Sequence, residues 1–433
     1  MARGYERLVC GFAVLLTWCS TALGAGPLSL QEAIGRALAN HSALKGAEAR
    51  VRAAEAAHGA VWETYAPQVI VFGGAQHNSV KGTTTTTNPG LLGSTTTVSQ
   101  RFSQSASQSV VGANVEQFLV DFGSFPSQRI ATEERYGAQK QALASQVLDV
   151  TLNVKVAYYT LLRARRFVQY QQEIVDRRQT LVESSGKSGA RRGSADVRTD
   201  LPLADARIAL NKSESELADA ELVFLDALGE PGGPAPPLVD DVTLKVVLIT
   251  PQQMVERALN ARPELMQAEA VVRAQQADAD AAWASYLPRF ETYFNVTNLS
   301  AFGKGDSDQL TVLGGGLEVR IPTTWIASTN RLSQANAGLE EAKARADELR
   351  QAVRLAVARN NAALAEAAER VRITNELAEN AERLWQERQA RAATPEGNAA
   401  YATLYDARVR LIQALYDAKI AEAKLERAIG FDF

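Results

Sequence analysis

The chain has 433 residues, a formal net charge of −3, and 46% hydrophobic but only 7% aromatic residues. No basic excess speaks for nucleic acid and no acidic run speaks for a solvating tail. Long blocks rich in Ala, Glu, Arg, Gln and Leu have the composition of long helices and coiled coils, on a length that would normally suggest two or three domains.

Arg3 and Arg7, the apolar run Leu8–Trp18 and the small residues Ala22-Leu23-Gly24-Ala25 read as a signal peptide over residues 1–25. That run is too short to span a bilayer. Cys10 and Cys19 both lie inside it, so cleavage near Gly24 or Ala25 leaves no cysteine and excludes disulfides. Acylation at Cys19 is the alternative, against which Trp18 occupies the position where a small residue is wanted. Further on there is no run of 18 apolar residues, so no transmembrane helix is predicted. An exported membrane protein of this kind must then cross the membrane as a β-barrel.

Leu30–Tyr65 reads as one helix. Ser29 is its N-cap, Glu32 completes a capping box, and Ile34, Leu38, Leu44, Ala47 and Val51 form an apolar stripe that Pro67 ends. The period then changes. Residues of about 68–80 and 110–121 are β-like, and between them Thr83–Thr87, Asn88-Pro89-Gly90 and Ser94–Thr97 read as a polar loop. After Asp121-Phe122-Gly123, a helix from Ser124 to Ser185 would be about 90 Å long at 1.5 Å per residue. Gly186–Gly193 breaks it. Gly186-Lys187-Ser188 is not a phosphate-binding loop, because that motif needs its first glycine where Leu181 stands. A helix resumes by Asp200, with Pro202 in its first turn, and runs to Leu228-Gly229, before a Pro/Gly-rich linker over residues 230–249. The order then returns: helix Pro251–Tyr286 capped by Thr250, strands over about 289–299 and 309–321, a helix from Ser328 to Ala392, a break at Thr394–Gly397 and a last helix Asn398–Ile429.

That return is a repeat. Shifted by 221 positions, Leu28–Pro67 lands on Ile249–Pro288 without a gap. Arg36-Ala37-Leu38 falls on Arg257-Ala258-Leu259, Leu44 on Leu265, Glu48 on Glu269, and Trp62, Tyr65 and Pro67 on Trp283, Tyr286 and Pro288. The chain is therefore two copies of one unit, residues 26–229 and 250–433. The offset falls to 202 where Val115-Glu116 meets Leu317-Glu318, so the 19-residue difference (221 − 202) lies in the first strand–strand loop. Loops at the rim of a barrel tolerate such insertions.

The second-copy strands alternate. Phe290, Thr292, Phe294 and Val296 share one face, with Leu313, Leu317 and Val319 across the hairpin. Arg289 and Glu291 share the other, with Glu318 and Arg320 opposite. An apolar face toward lipid and a charged face toward a lumen is the pattern of an outer-membrane barrel. Four strands cannot close, and open edges are forbidden in lipid, so several chains must share one barrel, with twelve strands from three chains the natural choice. In each copy two shorter helices nearly add up to the long one. Each chain then offers four helical columns, and three chains a hollow helical tunnel of about 90–100 Å.

These features resemble the TolC family of outer-membrane factors over essentially the whole mature chain. The most specific pieces are Leu30-Gln31-Glu32-Ala33-Ile34 through Ala37-Leu38-Ala39-Asn40, then Arg262-Pro263-Glu264-Leu265 and Tyr286-Leu287-Pro288. Asp121-Phe122-Gly123 resembles the family's strand-to-helix turn, and Gly193-Ser194-Ala195-Asp196-Val197 its helix–turn–helix at the periplasmic tip. Two places depart: Pro395 replaces the glycine-led second tip turn, and Pro322-Thr323-Thr324-Trp325 replaces an Asp-Gly turn. The resemblance implies a mainly α fold with membrane β, in which a trimeric 12-stranded barrel continues into a long periplasmic α-helical tunnel. It implies a homotrimer that opens at the tip under the control of charges and tyrosines. Tip candidates are Arg191, Arg192 and Asp196, and in the second copy Arg388, Arg391, Tyr401, Tyr405 and Asp406. Gly189, Gly193, Ser194 and Gly397 would lie at the turns that contact an adaptor. The family's second-copy gating Arg and Asp would fall near Ala399 and Thr403.

The only histidines are His41, His58 and His77, at no metal-ligand spacing, so no triad or metal site is expected. No cofactor is implied either. The implied partners are a periplasmic adaptor (membrane fusion protein), an inner-membrane transporter and outer-membrane lipid. The resulting expectation is an exit duct of a tripartite efflux pump or type I secretion system in the outer membrane. The alternative is a periplasmic coiled-coil scaffold or adaptor, which would not need alternating strands.

Overall fold

The computed structural model of the chain describes residues 26–89, 95–186, 194–240, 242, 250–302, 307–321, 325–389 and 395–430. In chain order they form α1 (Leu30–Asn40), α2 (Ser42–Ala60), a 3₁₀ turn (Val61–Thr64), β1 (Gln68–Pro89), β2 (Thr95–Val120), α3 (Ser124–Gly186) and α4 (Ser194–Leu228). The second copy gives α5 (Pro251–Ala261), α6 (Pro263–Ala284), β3 (Arg289–Phe302), β4 (Ser307–Arg320), α7 (Trp325–Arg388) and α8 (Pro395–Ile429).

The helix expected over Leu30–Tyr65 is two helices. Ser29 and Glu32 form the capping box, the Ser29 N–H donating to Glu32 Oε2 at 3.0 Å and the Glu32 N–H to Ser29 Oγ at 3.3 Å. The helix stops at His41, which is extended (φ −64°, ψ 123°) and whose ring accepts from the Ala43 N–H as the cap of α2. The second copy breaks at the equivalent residue, Arg262 (41 + 221), also extended at φ −72°, ψ 123°. There the cause is Pro263, which disfavours helical geometry in the residue before it and lacks the N–H that a continuous helix would use.

α3 starts from a turn that its sequence dictates. Phe122 (φ 51°) and Gly123 (φ 120°) lie in the left-handed region, which Gly enters without cost. Asp121 then caps the helix, accepting from the N–H groups of Gly123, at 3.3 Å, and of Phe125.

The four strands form one antiparallel sheet in the order β1-β2-β3-β4. The Thr-rich stretch expected as a loop is strand: β1 and β2 pair without interruption from Gln68↔Glu116 to Pro89↔Thr95. Threonine is β-branched and fits an extended, pleated backbone. A polar run that looks loop-like in composition therefore lengthens the hairpin. β3 and β4 pair without interruption from Arg289↔Arg320 to Phe302↔Ser307.

By packing, the chain falls into two compact units. Neither is one of the repeats, since each draws on both copies. The first comprises Met1–Asn40, Asn153–Leu244 and Glu376–Tyr416. Here the segment between the copies is pinned rather than free. Leu28 donates to Pro237 O (2.7 Å) and Val239 donates back to Leu28 O (3.1 Å). The hydroxyl of buried Tyr158 lies 3.0 Å from Leu28 O and 2.6 Å from Val239 O. Arg165 donates to Pro236 O at 3.0 Å, and Arg166 and Tyr416 both donate to Asp240, at 2.6–2.9 Å.

The second unit comprises His41–Leu152, Lys245–Asn375 and Asp417–Phe433. It holds the sheet and an apolar cluster of Met254, Ala258, Leu265, Val353, Val357, Leu425 and Ile429. Beside that cluster Arg427 donates from Nε to Asp149 (2.7 Å) and from Nη2 to Ser145 (3.2 Å) and Glu264. Burial pushes the Glu264 carboxyl up, but the hydrogen bond from Arg427 and the charge of Arg262 outweigh it and hold the group at about 2. Because this pKa is depressed on folding, the stabilisation is complete above the ordinary value of 4.5 and is lost as pH falls toward about 2. Replacing Arg427 with Ala removes a charged hydrogen bond from Glu264 but leaves Arg262 at 3.3 Å, and should cost about 2 kcal/mol. A denaturant titration of the detergent-solubilised protein at pH 7 checks this. The gap between variant and parent should narrow as the titration is repeated at lower pH, below 4.5.

Candidate functional site: a two-faced sheet and an aromatic coil

The register sets the charged residues of β3 and β4 on one alternation. Arg289 pairs with Arg320, Glu291 with Glu318, Tyr293 with Gly316 and Asn295 with Gly314. Glu116 of β2 pairs with Tyr293, and Asn114 with Asn295, so both join the same face. Arg320 bridges two carboxylates, 3.1 Å from Glu291 and 3.2 Å from Glu318. Gly314 and Gly316 leave room for the side chains that lie across β4. A Cβ at 314 would sit 2.2 Å from Asn295 Oδ1, and one at 316 would sit 3.1 Å from the Tyr293 hydroxyl. A concavity results, whose lining includes Asn114, Glu116, Glu291, Asn295 and Glu318 together with the rings of Tyr293 and Phe72. The opposite alternation is apolar and bare: Val71 is 75% exposed, Leu313 68% and Leu317 62%. Sequence reasoning missed Glu116, although the repeat held the signal, because Glu116 is the counterpart of Glu318 at the offset of 202.

The expected tip residues scatter. Arg191, Arg192, Arg391, Gly189 and Gly193 lie outside the described residues. Ser194 opens α4, with Asp196 in its first turn. Gly397 does not form a turn: α8 begins at Pro395, and Gly397 is buried in its first turn. Pro at the first helical position costs no hydrogen bond and presets φ, which is why this helix starts earlier than Asn398. Arg388 ends α7. Asp406 pairs with Arg410 at 2.8 Å, both well exposed, a contact of the kind that contributes little.

Tyr401 and Tyr405 do come into one packed site. Tyr401 stands against Trp385, ring centroids 5.2 Å apart. The guanidinium of Arg177 lies over both rings, 3.8 Å from the Tyr401 centroid and 4.5 Å from that of Trp385. Tyr405 packs on the cluster of Ile174, Val175 and Ala206, with Tyr170 6.3 Å away. Burial pushes the Tyr405 phenol up to about 12. The Tyr405 hydroxyl and Arg177 Nε are buried with no hydrogen-bond partner among the described residues. At this site α3 meets α7 and α8 through aromatic and cation–π contact. Arg177 could not be singled out from the sequence, where it is one of two adjacent arginines in a long polar helix.

The three histidines have local roles. His41 caps a helix, His58 Nδ1 lies 3.3 Å from Thr132 Oγ1, and His77 Nδ1 lies 2.9 Å from Ser107 Oγ. Among the described residues no group of three or more His, Cys, Asp or Glu could hold a metal ion, and no helix is long and apolar enough to cross a membrane.

A sheet with one bare apolar face, strung between helices of 63 and 64 residues, defines a membrane-inserted β-sheet carried on long α-helical hairpins. The model of the outer membrane efflux protein family matches residues 33–229 and 254–431, and the chain belongs to that family. It has the family's fold, in which a trimeric twelve-stranded barrel continues into an α-helical tunnel. Among solved structures it is similar to the open state of the MtrE outer membrane channel of Neisseria gonorrhoeae, with TM-score 0.75, 15% identity, and coverage of 93% of this chain and 89% of that one. CusC is similar at TM-score 0.72 and 19% identity, covering 93% and 92%. A membrane protein from Pseudomonas aeruginosa is similar at TM-score 0.71 and 21% identity, covering 92% and 93%. A comparison with curated proteins finds no match.

If the coil is held by the stack, Arg177→Ala should destabilise it by about 1–2 kcal/mol, whereas Asp406→Ala should change stability by less than about 0.5 kcal/mol. Guanidinium midpoints followed by helical circular dichroism check both. The Arg177 loss should persist at 1 M salt, where an exposed ion pair would be screened.

Proposed function

We propose that this chain is the outer-membrane exit duct of a tripartite efflux pump or of a type I secretion system. Cargo would pass from an inner-membrane transporter through a periplasmic adaptor and leave through the duct without further chemistry. The observation that carries the reading is the sheet: one face apolar and exposed, the other charged, with β1 and β4 as its two outer strands. In hydrocarbon those two strand edges need partners. Two further copies, β4 of each joined to β1 of the next, satisfy all of them and yield the homotrimer. Arg289, Glu291, Glu318 and Arg320 then line the lumen, with Glu116 beside them. On this reading residues 1–25 are removed on export, residues 26–229 and 250–433 are the two copies, and residues 230–249 join them.

The tip of the tunnel would carry adaptor contacts at Gly189, Gly193 and Ser194 and a constriction formed by Arg191, Arg192, Asp196, Arg388 and Arg391. Tyr401 and Tyr405 would belong to the packing that keeps it closed. The constriction and an open form are then two states whose balance an adaptor shifts by binding one better.

Light scattering of the detergent-solubilised protein, with bound detergent subtracted, should give three times the chain mass. A monomer carrying a closed barrel would end the proposal. In planar bilayers, replacing Arg191, Arg192 and Asp196 together with Ala should raise single-channel conductance while leaving the trimer intact. Unchanged conductance would place the constriction elsewhere.

A further inference from the structure

β1 and β2 are much longer than the strands beside them. β2 keeps β3 as a neighbour only as far as Ser107↔Phe302. Beyond that point β1 and β2 continue together from Asn78↔Ala106 to Pro89↔Thr95, with no third strand among the described residues. At roughly 3.3 Å per residue this ribbon is about 40 Å long.

Its two faces differ from those of the sheet below. In the lower part the odd-numbered positions are apolar, with Val69, Val71 and Val111 all exposed, as suits lipid. In the ribbon the odd positions hold Ser79, Lys81, Thr83, Thr85, Thr97, Ser99 and Arg101, every one polar and exposed. The ribbon has therefore left the apolar layer. Val80, Val98, Phe102 and Ala106 all fall at even register positions, the alternation that carries Asn114 and Glu116 lower down.

We infer that the ribbons of three copies of this chain meet through their even faces and narrow the outer mouth of the barrel. An isolated two-stranded ribbon is marginally stable in water, and its free edges invite pairing. A partner on the even face remedies the first, while Lys81 and Arg101 on the odd face discourage the second. The partner that is always present, at equal spacing around the mouth, is the same ribbon from the other two chains. Reach is sufficient. Twelve strands about 4.8 Å apart and tilted by about 40° enclose a barrel of radius roughly 12 Å, well under the length of the ribbon. The inference rests on the trimeric duct proposed above.

The two cysteines of the sequence, Cys10 and Cys19, lie in the leader segment, which leaves a clean background for cross-linking. Single-cysteine variants Thr84→Cys and Gln100→Cys probe the even face, and Thr85→Cys and Arg101→Cys the odd face. In trimers verified by light scattering, oxidation should give disulfide-linked dimers with the even variants only. The odd variants should instead react with a membrane-impermeant maleimide on intact cells. Deleting residues 80–104 should raise single-channel conductance by about twofold or more while the trimer persists. Verified trimers in which neither even variant cross-links, or in which the odd ones do, overturn the inference and leave the duct standing. Absence of the trimer would instead overturn the duct.

Discussion

The constraint on which the rest of this structure depends is that backbone groups in hydrocarbon must be hydrogen-bonded within protein. A chain whose described residues form one four-stranded sheet meets it inside that sheet and fails at the two outer edges. Everything in the β part is consistent with a sheet made to be completed by identical neighbours. In β3 and β4 the charges Arg289, Glu291, Glu318 and Arg320 share one alternation while Leu313, Leu317 and Val319 take the other, and glycines at 314 and 316 let Tyr293 and Asn295 lie flat on the charged side. Such a sheet would be an aggregation hazard as a monomer.

The helical part solves a different problem. A helix of 63 residues has far more surface than one chain can cover, and many of its interior positions are Ala or short aliphatics. Close approach of long helices favours small residues. The structure fixes their register at discrete points. The extended residues His41 and Arg262 redirect two helices at equivalent places. Tyr158, Arg165 and Arg166 tie the segment between the copies to α3, and Arg427 gathers Asp149, Ser145 and Glu264 beside the apolar cluster at the end of α8. Buried charge is costly to desolvate unless it is paired, and Arg427 finds Asp149, Ser145 and Glu264 together in this one arrangement.

Charge has unequal weight along the coils. Many of the ion pairs among the described residues are exposed i,i+3 or i,i+4 contacts, such as Arg345–Glu341 and Arg410–Asp406, each contributing a few tenths of a kcal/mol. Arg177 acts otherwise. Its guanidinium lies 3.8 Å from the Tyr401 ring centroid and 4.5 Å from that of Trp385, and a cation so placed is attracted by the ring faces. A coil joined in this way responds to geometry rather than to ionic strength.

The sequence by itself determined the duplication, the places where helix gives way to strand, the two-faced alternation of Arg289–Val296 and Leu313–Arg320, and hence the family. These are local or periodic properties, legible because helix and strand have different periods and because each pattern is written twice. It also determined the turn at Asp121-Phe122-Gly123, where a cap and a glycine admit one backbone path. Only the tertiary structure decided the rest. The Thr-rich stretch became strand because each residue found a partner across the hairpin, which composition does not reveal. Arg177 acquired a role because Trp385 and Tyr401, more than 200 residues further along the chain, stack on it. Contacts of that range depend on how helices pack, and a single sequence carries no periodic trace of them.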